Sequence, residues 1–379
     1  MVFSHGELFE IFSWLPAKAV YKFMSVGEFF SRLPKETYFA TKQAQKALLR
    51  DDTCFFLQPG ITLWYRNQIE LHSLPGEELS SGVFNDVIQF LSNKMFASSN
   101  GLILYRVICH NQVKLCVCNP VTQSFLSIPT LEHMQDNIYA NLDVGFKCDA
   151  NDFKLFNFYA NDWNSYDCYV YESKKDVWKA MEERFFIGSR NMIFDMPVHY
   201  NGAIHFISDC FPYIKKNHPY FRPYIMSYSF EDGKSRMLRV PKEARRGSHD
   251  HSCDMRIFRW GKVANSNHSI CLVRLRKRVF TVWTLTNYES SLWKRILKLR
   301  VKAMRLMEKE PIVQGFTVLN GDLLVFATEK MVYGYDLINK KIQKICEHRI
   351  DCNFLRFTSY SNTLRICGTD TETLSLSEM

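Results

Sequence analysis

The dipeptide Asn-Gly followed at once by an apolar run occurs three times: NGLILY at residues 100–105, NGAIHF at 201–206 and NGDLLVF at 320–326. Asn and Gly both tolerate positive φ angles, and the pair is typical of the tight turn in a β-hairpin. The apolar runs have the length and composition of strands. This repeated stretch therefore predicts a chain built from β-hairpins.

A second strand and a polar turn follow each of these runs, at residues 117–122, 228–233 and 335–340. Further segments show the second half of the same unit, at 169–178 and 282–294. Such a unit is about fifty residues long, which is the period of a kelch-type propeller blade.

Roughly six of these units fit between Cys54 and Cys367. A lone four-stranded sheet cannot bury both faces, whereas a ring of such sheets buries them and leaves few bare edges. We therefore predict a mainly β protein in which residues 51–379 form a kelch-like β-propeller of about six blades.

The first fifty residues follow a different pattern. Leu8, Ile11, Phe12 and Leu15 have the i, i+3, i+4, i+7 spacing of one apolar helix face, and Pro16 ends that helix. Three more short helices are predicted, at 17–24, at 29–33 and from a Thr37 N-cap to Leu48. So few helical residues cannot build a deep core. Some of their apolar surface must therefore be covered by a partner, within the chain or outside it.

Composition sets the class of protein. The chain has 379 residues, of which 46% are hydrophobic and 15% aromatic, enough to bury a core. No run of 18 apolar residues occurs, and the N-terminus lacks a basic segment followed by an apolar one. We therefore expect no membrane span and a location in the cytoplasm or nucleus.

The twelve Cys residues, which include Cys116 and Cys118 on one face of a predicted strand, are expected to be core residues.

Catalytic and metal-binding motifs are weak. Gly233-Lys234-Ser235 resembles the end of a phosphate-binding loop, but Tyr228 stands where that loop needs Gly, so a hairpin turn is predicted. His249, His251 and Cys253 alternate and could bind zinc, but no second ligand pair lies at finger spacing, which favours a loop tip. No catalytic, cofactor-binding or metal-binding residues are predicted, and we expect no cofactor.

The net charge is +9, and basic residues cluster locally. The cluster contains Arg274, Arg276, Lys277, Arg278, Lys294, Arg295, Lys298, Arg300, Lys302 and Arg305. A nucleic-acid patch and a solvated strand or loop face are both compatible with it, and the second is favoured because charge runs usually face water. Residues 297–310 have a helical-looking pattern and are predicted to form a charged connection. Residues 211–221 and 241–254 are predicted rim loops, where binding residues tend to lie.

Residues 7–18, ELFEIFSWLPAK, resemble the opening of an F-box, and residues 23–30 resemble its later half. Phe3-Ser4 stands where an F-box usually has Leu-Pro, and Gly27-Glu28 where it usually has Cys-Lys. Downstream, SNGL at 99–102, NPVT at 119–122 and HYNGAIHF at 199–206 resemble motifs of the F-box-associated or kelch-like propeller of large plant families.

This resemblance implies an F-box at residues 1–50 that docks on a Skp-type adaptor, and through it on cullin. It also implies a propeller at 51–379 that binds a protein substrate of unknown identity. The chain would then be the non-catalytic substrate-recognition subunit of an SCF (Skp–cullin–F-box) ubiquitin ligase. The same apolar residues could instead only hold the helices together. The implied adaptor-binding set is Leu8, Ile11, Leu15, Pro16, Val20, Phe23, Val26 and Phe30.

Three other functions stay open. A propeller scaffold with a degenerate F-box would no longer recruit the ligase. A transcriptional co-regulator would use the basic cluster against DNA, although nucleic acid is the less favoured partner. A propeller enzyme would need a metal or cofactor site, and it would leave the helical N-terminus without a role.

Overall fold

Helices form the beginning of the chain and antiparallel sheets form the rest. The structure is a computed structural model. It describes residues 3–60, 68–77, 95–109, 112–131, 143–148, 152–248, 251–262 and 268–367. Among these residues, no helix is long and apolar enough to cross a bilayer.

Within the described ranges, four α-helices lie in the N-terminal segment and a further one is a single turn between two strands. The helices are α1 (His5–Ser13), α2 (Ala17–Phe23), α3 (Glu28–Arg32), α4 (Thr37–Ala47) and α5 (Lys242–Arg245). Short 3-10 helices cover Met24–Val26, Leu33–Lys35 and Val301–Met304. The predicted N-cap at Thr37 is wrong: Thr37 is the first helical residue and Glu36 is the N-cap.

The strands of the first half of the chain are β1 (Cys54–Pro59), β2 (Glu70–Ser73), β3 (Met95–Ser99), β4 (Leu102–Cys109), β5 (Gln112–Asn119), β6 (Ser124–Ile128), β7 (Asp143–Cys148), β8 (Phe153–Ala160), β9 (Ser165–Glu172), β10 (Val177–Ala180) and β11 (Phe185–Phe186). Those of the second half are β12 (Met192–Tyr200), β13 (Ala203–Ser208), β14 (Tyr224–Ser229), β15 (Ser235–Arg239), β16 (Cys253–Trp260), β17 (Ser269–Arg276), β18 (Val279–Asn287), β19 (Leu292–Arg300), β20 (Gly315–Leu319), β21 (Leu323–Ala327), β22 (Met331–Asp336), β23 (Ile342–Glu347) and β24 (Leu355–Tyr360).

These strands form six antiparallel sheets arranged as the blades of a propeller. Blades 1 to 5 are β3–β6, β7–β11, β12–β15, β16–β19 and β20–β23, and blade 6 has the order β2-β1-β24. The innermost strands β3, β7, β12, β16, β20 and β24 contact one another in that order, and β24 contacts β3. The ring is therefore closed, because the last strand pairs with the first strand, β1, in one sheet. The prediction of a mainly β fold with about six blades is confirmed.

The three Asn-Gly turns join the first and second strands of blades 1, 3 and 5. The φ angles are 48°, 48° and 52° at Asn100, Asn201 and Asn320, and 78°, 71° and 74° at the glycines that follow. Both central residues thus have the positive φ that a type I′ hairpin turn requires. The hairpins predicted from these dipeptides are confirmed.

The prediction of a charged connection at residues 297–310 is wrong for residues 297–300. Strand β19 continues to Arg300, and only Val301–Met304 form a short 3-10 helix. Phe280 of β18 lies opposite Leu299, and Val279 lies opposite Arg300. Pairing with β18 therefore imposes extended geometry on a segment whose local composition is compatible with a helix.

The blade interfaces hold most of the aromatic core. Between blades 2 and 3, Phe158 packs against Phe185, Phe194 and Phe206 with ring centroids 5.2–5.6 Å apart. Edge-on and tilted contacts of this kind add to the free energy gained by burying the rings. Cysteine plays the predicted part in blade 1, where Cys116 and Cys118 of β5 are both buried in one apolar cluster.

Candidate protein-interaction site on the N-terminal helices

Helix α1 starts with a complete capping box. The Ser4 hydroxyl accepts a hydrogen bond from the Glu7 N–H, and the Glu7 carboxylate accepts one from the Ser4 N–H at 2.7 Å. These bonds satisfy backbone donors that the first turn leaves open. Ser4 thus stabilises the start of helix α1.

Phe12 is the centre of the helical segment. The apolar spacing of α1 turns this side chain inward, where it is buried. Its ring lies 5.0 Å from the ring of Phe23 and 4.9 Å from that of Phe30. Phe9 packs in the same way against Phe39 of α4, with 5.0 Å between ring centroids. The four short helices therefore share one small aromatic core.

That core continues into the propeller. Val121, between strands β5 and β6, and Leu364, after β24, belong to the same buried cluster as Phe12 and Val20. The Ala17 N–H donates to the Asn362 carbonyl at 3.3 Å. The partner for part of the apolar helix surface is thus the chain itself, one of the two possibilities that the sequence left open.

A second link joins the segment after α4 to blade 5. The Asn320 amide accepts a hydrogen bond from the Asp52 N–H at 2.8 Å and donates one to the Asp52 carbonyl at 3.1 Å. The Asp52 carboxylate accepts from the Ser361 hydroxyl at 2.6 Å. Burial raises the pKa of this carboxyl, and hydrogen bonds from Ser361 and Ser359 oppose that rise. The helices are therefore fixed at the end of the propeller that carries the Asn-Gly turns, called here the helical end.

The eight residues of the predicted adaptor-binding set fall into three groups. Val26, Ile11 and Phe23 are solvent-exposed, with 65%, 46% and 39% of their residue surface accessible. These three residues are called the exposed apolar set. Leu8, Leu15 and Phe30 are half-buried, and Pro16 and Val20 are buried. In this structure, Pro16 and Val20 therefore hold the helices together.

Other exposed apolar side chains near the set were not part of the prediction. They are Phe3, Trp14, Tyr38 and Leu49. Trp14 lies under the ammonium group of Lys46, which is 4.2 Å from the ring and forms an ion pair with Glu10 at 2.9 Å. The ammonium groups of Lys42 and Lys46 lower the pKa of the Glu10 carboxyl. Helical spacing from the buried Phe39 would have marked Tyr38 as outward-facing.

The inner strands enclose a central channel of about 430 Å³, with Leu48 and Asp52 at the helical end. Inside it, the buried Arg356 guanidinium donates to the carbonyls of Phe96 and Asp195. These bonds tie three blades together, so this cation has a structural role in the channel. No three His, Cys, Asp or Glu side chains form a metal-binding group within the described part of the chain.

The remaining motifs singled out in the sequence have plain structural positions. Gly233, with φ of 68°, lies in the hairpin turn between β14 and β15, which confirms the predicted turn. Cys253 is buried at the start of β16, and His251 lies just before it. His249 lies outside the described residues.

Comparison with known proteins gives two kinds of match. The model of the F-box associated beta propeller domain matches residues 65–363. An F-box protein of Arabidopsis thaliana is 23% identical over 361 residues, which cover 89% of each chain.

Two solved propeller structures show weaker likeness. TolB from Acinetobacter baumannii is 12% identical with a TM-score of 0.47, over 81% of this chain and 66% of that chain. The β-propeller domain of the Trilobed protease from Pyrococcus furiosus is 14% identical with a TM-score of 0.41, over 79% and 82%. Likeness at this level says nothing about function.

Proposed function

The chain belongs to the F-box associated β-propeller family, and from this membership we propose that it is the substrate-recognition subunit of an SCF ubiquitin ligase. In this proposal, residues 1–50 act as the F-box that docks on a Skp-type adaptor bridged to cullin. Residues 51–379 bind the protein to be ubiquitinated. The proposed place of action is the cytoplasm or nucleus.

The observation that carries the proposal is the exposed apolar set. Ile11, Phe23 and Val26 remain open to solvent although the propeller buries other apolar residues of the same helices. Apolar and aromatic side chains of this kind form the centre of protein–protein interfaces. The adaptor would therefore contact mainly this set, together with the half-buried Leu8, Leu15 and Phe30.

The attachment of the helices to the propeller links the proposed adaptor-binding surface to the proposed substrate-binding domain. Gln43 and Asn320 fix the helical segment to the propeller through several hydrogen bonds. A substrate on the propeller would therefore be held at a defined distance from the adaptor. No bond is made or broken by this chain in such a role, and its contribution is the raised local concentration of substrate.

Binding of a purified Skp-type adaptor to the full chain tests the proposal. Ile11→Glu and Val26→Glu should each weaken adaptor binding about tenfold or more, because a carboxylate would be buried without a partner. Deleting residues 1–50 is a poorer test, since it would uncover Val121 and Leu364 of the propeller.

The matched controls are Ile338→Glu and Val177→Glu, which change equally exposed residues on blades 5 and 2. These variants should bind the adaptor as the unchanged chain does. Full affinity in both helix variants would contradict the proposed contact surface. A folded chain that never binds the adaptor would instead favour the scaffold function with a degenerate F-box.

A further inference from the structure

Blade 4 carries a strongly basic cleft of about 470 Å³. Eight cationic side chains and one carboxylate line it, together with Val279 and Pro311. The charged lining residues are Arg274, Arg276, Lys277, Arg278, Lys298, Arg300, Lys302, Lys309 and Glu310. Like charges held this close repel one another, so the cleft favours an anionic ligand.

The register of the sheet places these cations on one face. Arg274, Thr281 and Lys298 lie opposite one another across β17, β18 and β19. In the next row on the same face, Val279 lies between Arg276 and Arg300. Side chains two residues apart in a strand share a face, so two pairs of cations point to the same side.

A smaller concavity of about 320 Å³ adjoins the cleft and shares Arg274, Arg276 and Lys298 with it. Thr281 lines this concavity and is only 2% exposed. Its hydroxyl has no hydrogen-bond partner within the part of the chain that the structure describes. Since buried hydroxyl groups are normally hydrogen-bonded, this one indicates a ligand atom between Arg274 and Lys298.

Some cations of the cleft already have structural partners. Arg274 donates to the carbonyls of Glu243, Ala244 and Arg246 at 3.0–3.2 Å, which caps the single turn of α5. Arg278 forms an ion pair with Glu310. Arg276 also has an interaction partner, which leaves the lysines and Arg300.

Five of these form no ion pair or hydrogen bond through their side chains with any residue that the structure describes. They are Lys277, Lys298, Arg300, Lys302 and Lys309. Their charge is therefore available to a ligand, and it exceeds what one carboxylate could balance.

We propose that this cleft binds a phosphorylated segment of a partner protein. The phosphate lies beside Thr281, where its oxygens accept hydrogen bonds from the threonine hydroxyl, Lys298 and the guanidinium groups of β17. The acidic residues of the segment extend along Arg300 toward Lys302. Arginine clusters recognise phosphate and acidic motifs through charge-assisted hydrogen bonds of this kind.

The lining of the cleft favours a peptide over a nucleic acid. It contains no aromatic side chain among the described lining residues, whereas proteins that bind single strands stack bases on aromatic rings. The cleft and the adjoining concavity are lined by residues of blade 4 and of the segments on either side of it.

The position of the cleft suits a substrate site. Strand β17 runs antiparallel to β16 and starts at the end of the blade where the Gly261 N–H, just after β16, donates to the Gly321 carbonyl at the helical end. It ends at the Lys277-Arg278 turn, eight residues away, which is about 26 Å along a strand. The cleft is therefore at the end of the propeller opposite the helices. This inference deepens the proposed function, because it names the class of substrate.

The test is the binding of two fluorescent peptides to the full chain without any adaptor, measured by anisotropy. One peptide carries a single phosphoserine among acidic residues, and the other has unmodified serine. The phosphopeptide should bind at least tenfold more tightly. Lys298→Glu with Arg300→Glu should abolish that binding, and Thr281→Val should weaken the phosphopeptide several-fold while leaving the unmodified peptide unchanged.

The charge-matched control is Lys340→Glu with Lys341→Glu, in an exposed turn of blade 5. It should keep full affinity, and circular dichroism should show that every variant is folded. The inference would be overturned if both peptides bound with equal affinity, or if the control variant lost as much phosphopeptide affinity as the cleft variants. Tighter binding of a DNA strand of the same charge would also overturn it. Because no adaptor is present, these outcomes are independent of whether the helices recruit a ligase.

Discussion

The side-chain amide of Gln43 joins the last N-terminal helix to the segment that follows the last strand. Its oxygen accepts a hydrogen bond from the Leu364 N–H at 2.9 Å, and its nitrogen donates to the Leu15 carbonyl at 2.9 Å. Gln43 is buried, so water cannot replace these partners. One side chain thus connects α4, the turn between α1 and α2, and the segment that follows the closing blade of the propeller.

Replacing Gln43 with Ala should lower the free energy of unfolding by about 1–3 kcal/mol, because a buried N–H and a buried carbonyl lose their partner. Gln45→Ala is the matched control, since that side chain is exposed on the same helix. Urea denaturation measures both. Equal midpoints for the two variants would show that the Gln43 link adds nothing to stability.

Replacing Phe12 with Ala should cost about 3–5 kcal/mol, because the change leaves a cavity in the aromatic core that it shares with Phe23 and Phe30. Hydrogen exchange should then speed up across α1 to α4 before it changes in blades 2 to 5. Tyr38→Ala removes an exposed ring of similar size and should have little effect. Unchanged exchange in the helices of the Phe12 variant would contradict this assignment.

Asn320 and Asn201 occupy equivalent turns, but only Asn320 holds Asp52. Glycine tolerates the positive φ of both positions, so Asn201→Gly should be nearly neutral. Asn320→Gly should lower stability by about 1–3 kcal/mol because two hydrogen bonds are lost. Thermal or urea unfolding compares the two variants, and a similar loss in both would mean that the turn itself is responsible.

His205 predicts a pH dependence of stability. Its ring is buried between the Val198 carbonyl at 3.1 Å and the Tyr288 hydroxyl at 2.9 Å. Burial lowers the pKa of His205 to about 4. Between this value and the unfolded pKa of about 6.5, the unfolded chain binds the extra proton, so stability falls as the pH is lowered.

The expected loss from His205 between pH 7.5 and pH 5 is about 2 kcal/mol. His205→Gln cannot titrate in this range, so its free energy of unfolding should change less over the same interval. Denaturation at both pH values measures the difference between the two chains. An equal pH dependence would show that other groups account for the whole effect.

Local patterns were enough to predict the fold. The Asn-Gly turns and the fifty-residue period depend only on backbone preferences and on alternation along single strands. The stripe from Leu8 to Leu15 likewise depends only on helical spacing. The segment after Leu297 failed this kind of prediction, because its strand geometry comes from a partner strand and not from its own residues.

The sequence by itself determined that short amphipathic helices precede a ring of about six antiparallel sheets, since both facts follow from spacing along the chain. Only the tertiary structure decided which apolar helix residues remain exposed, because Val121 and Leu364 come from positions far away in sequence. It also decided that the basic residues of β17 and β19 share one face, because strand register is fixed by pairing and packing across the whole blade.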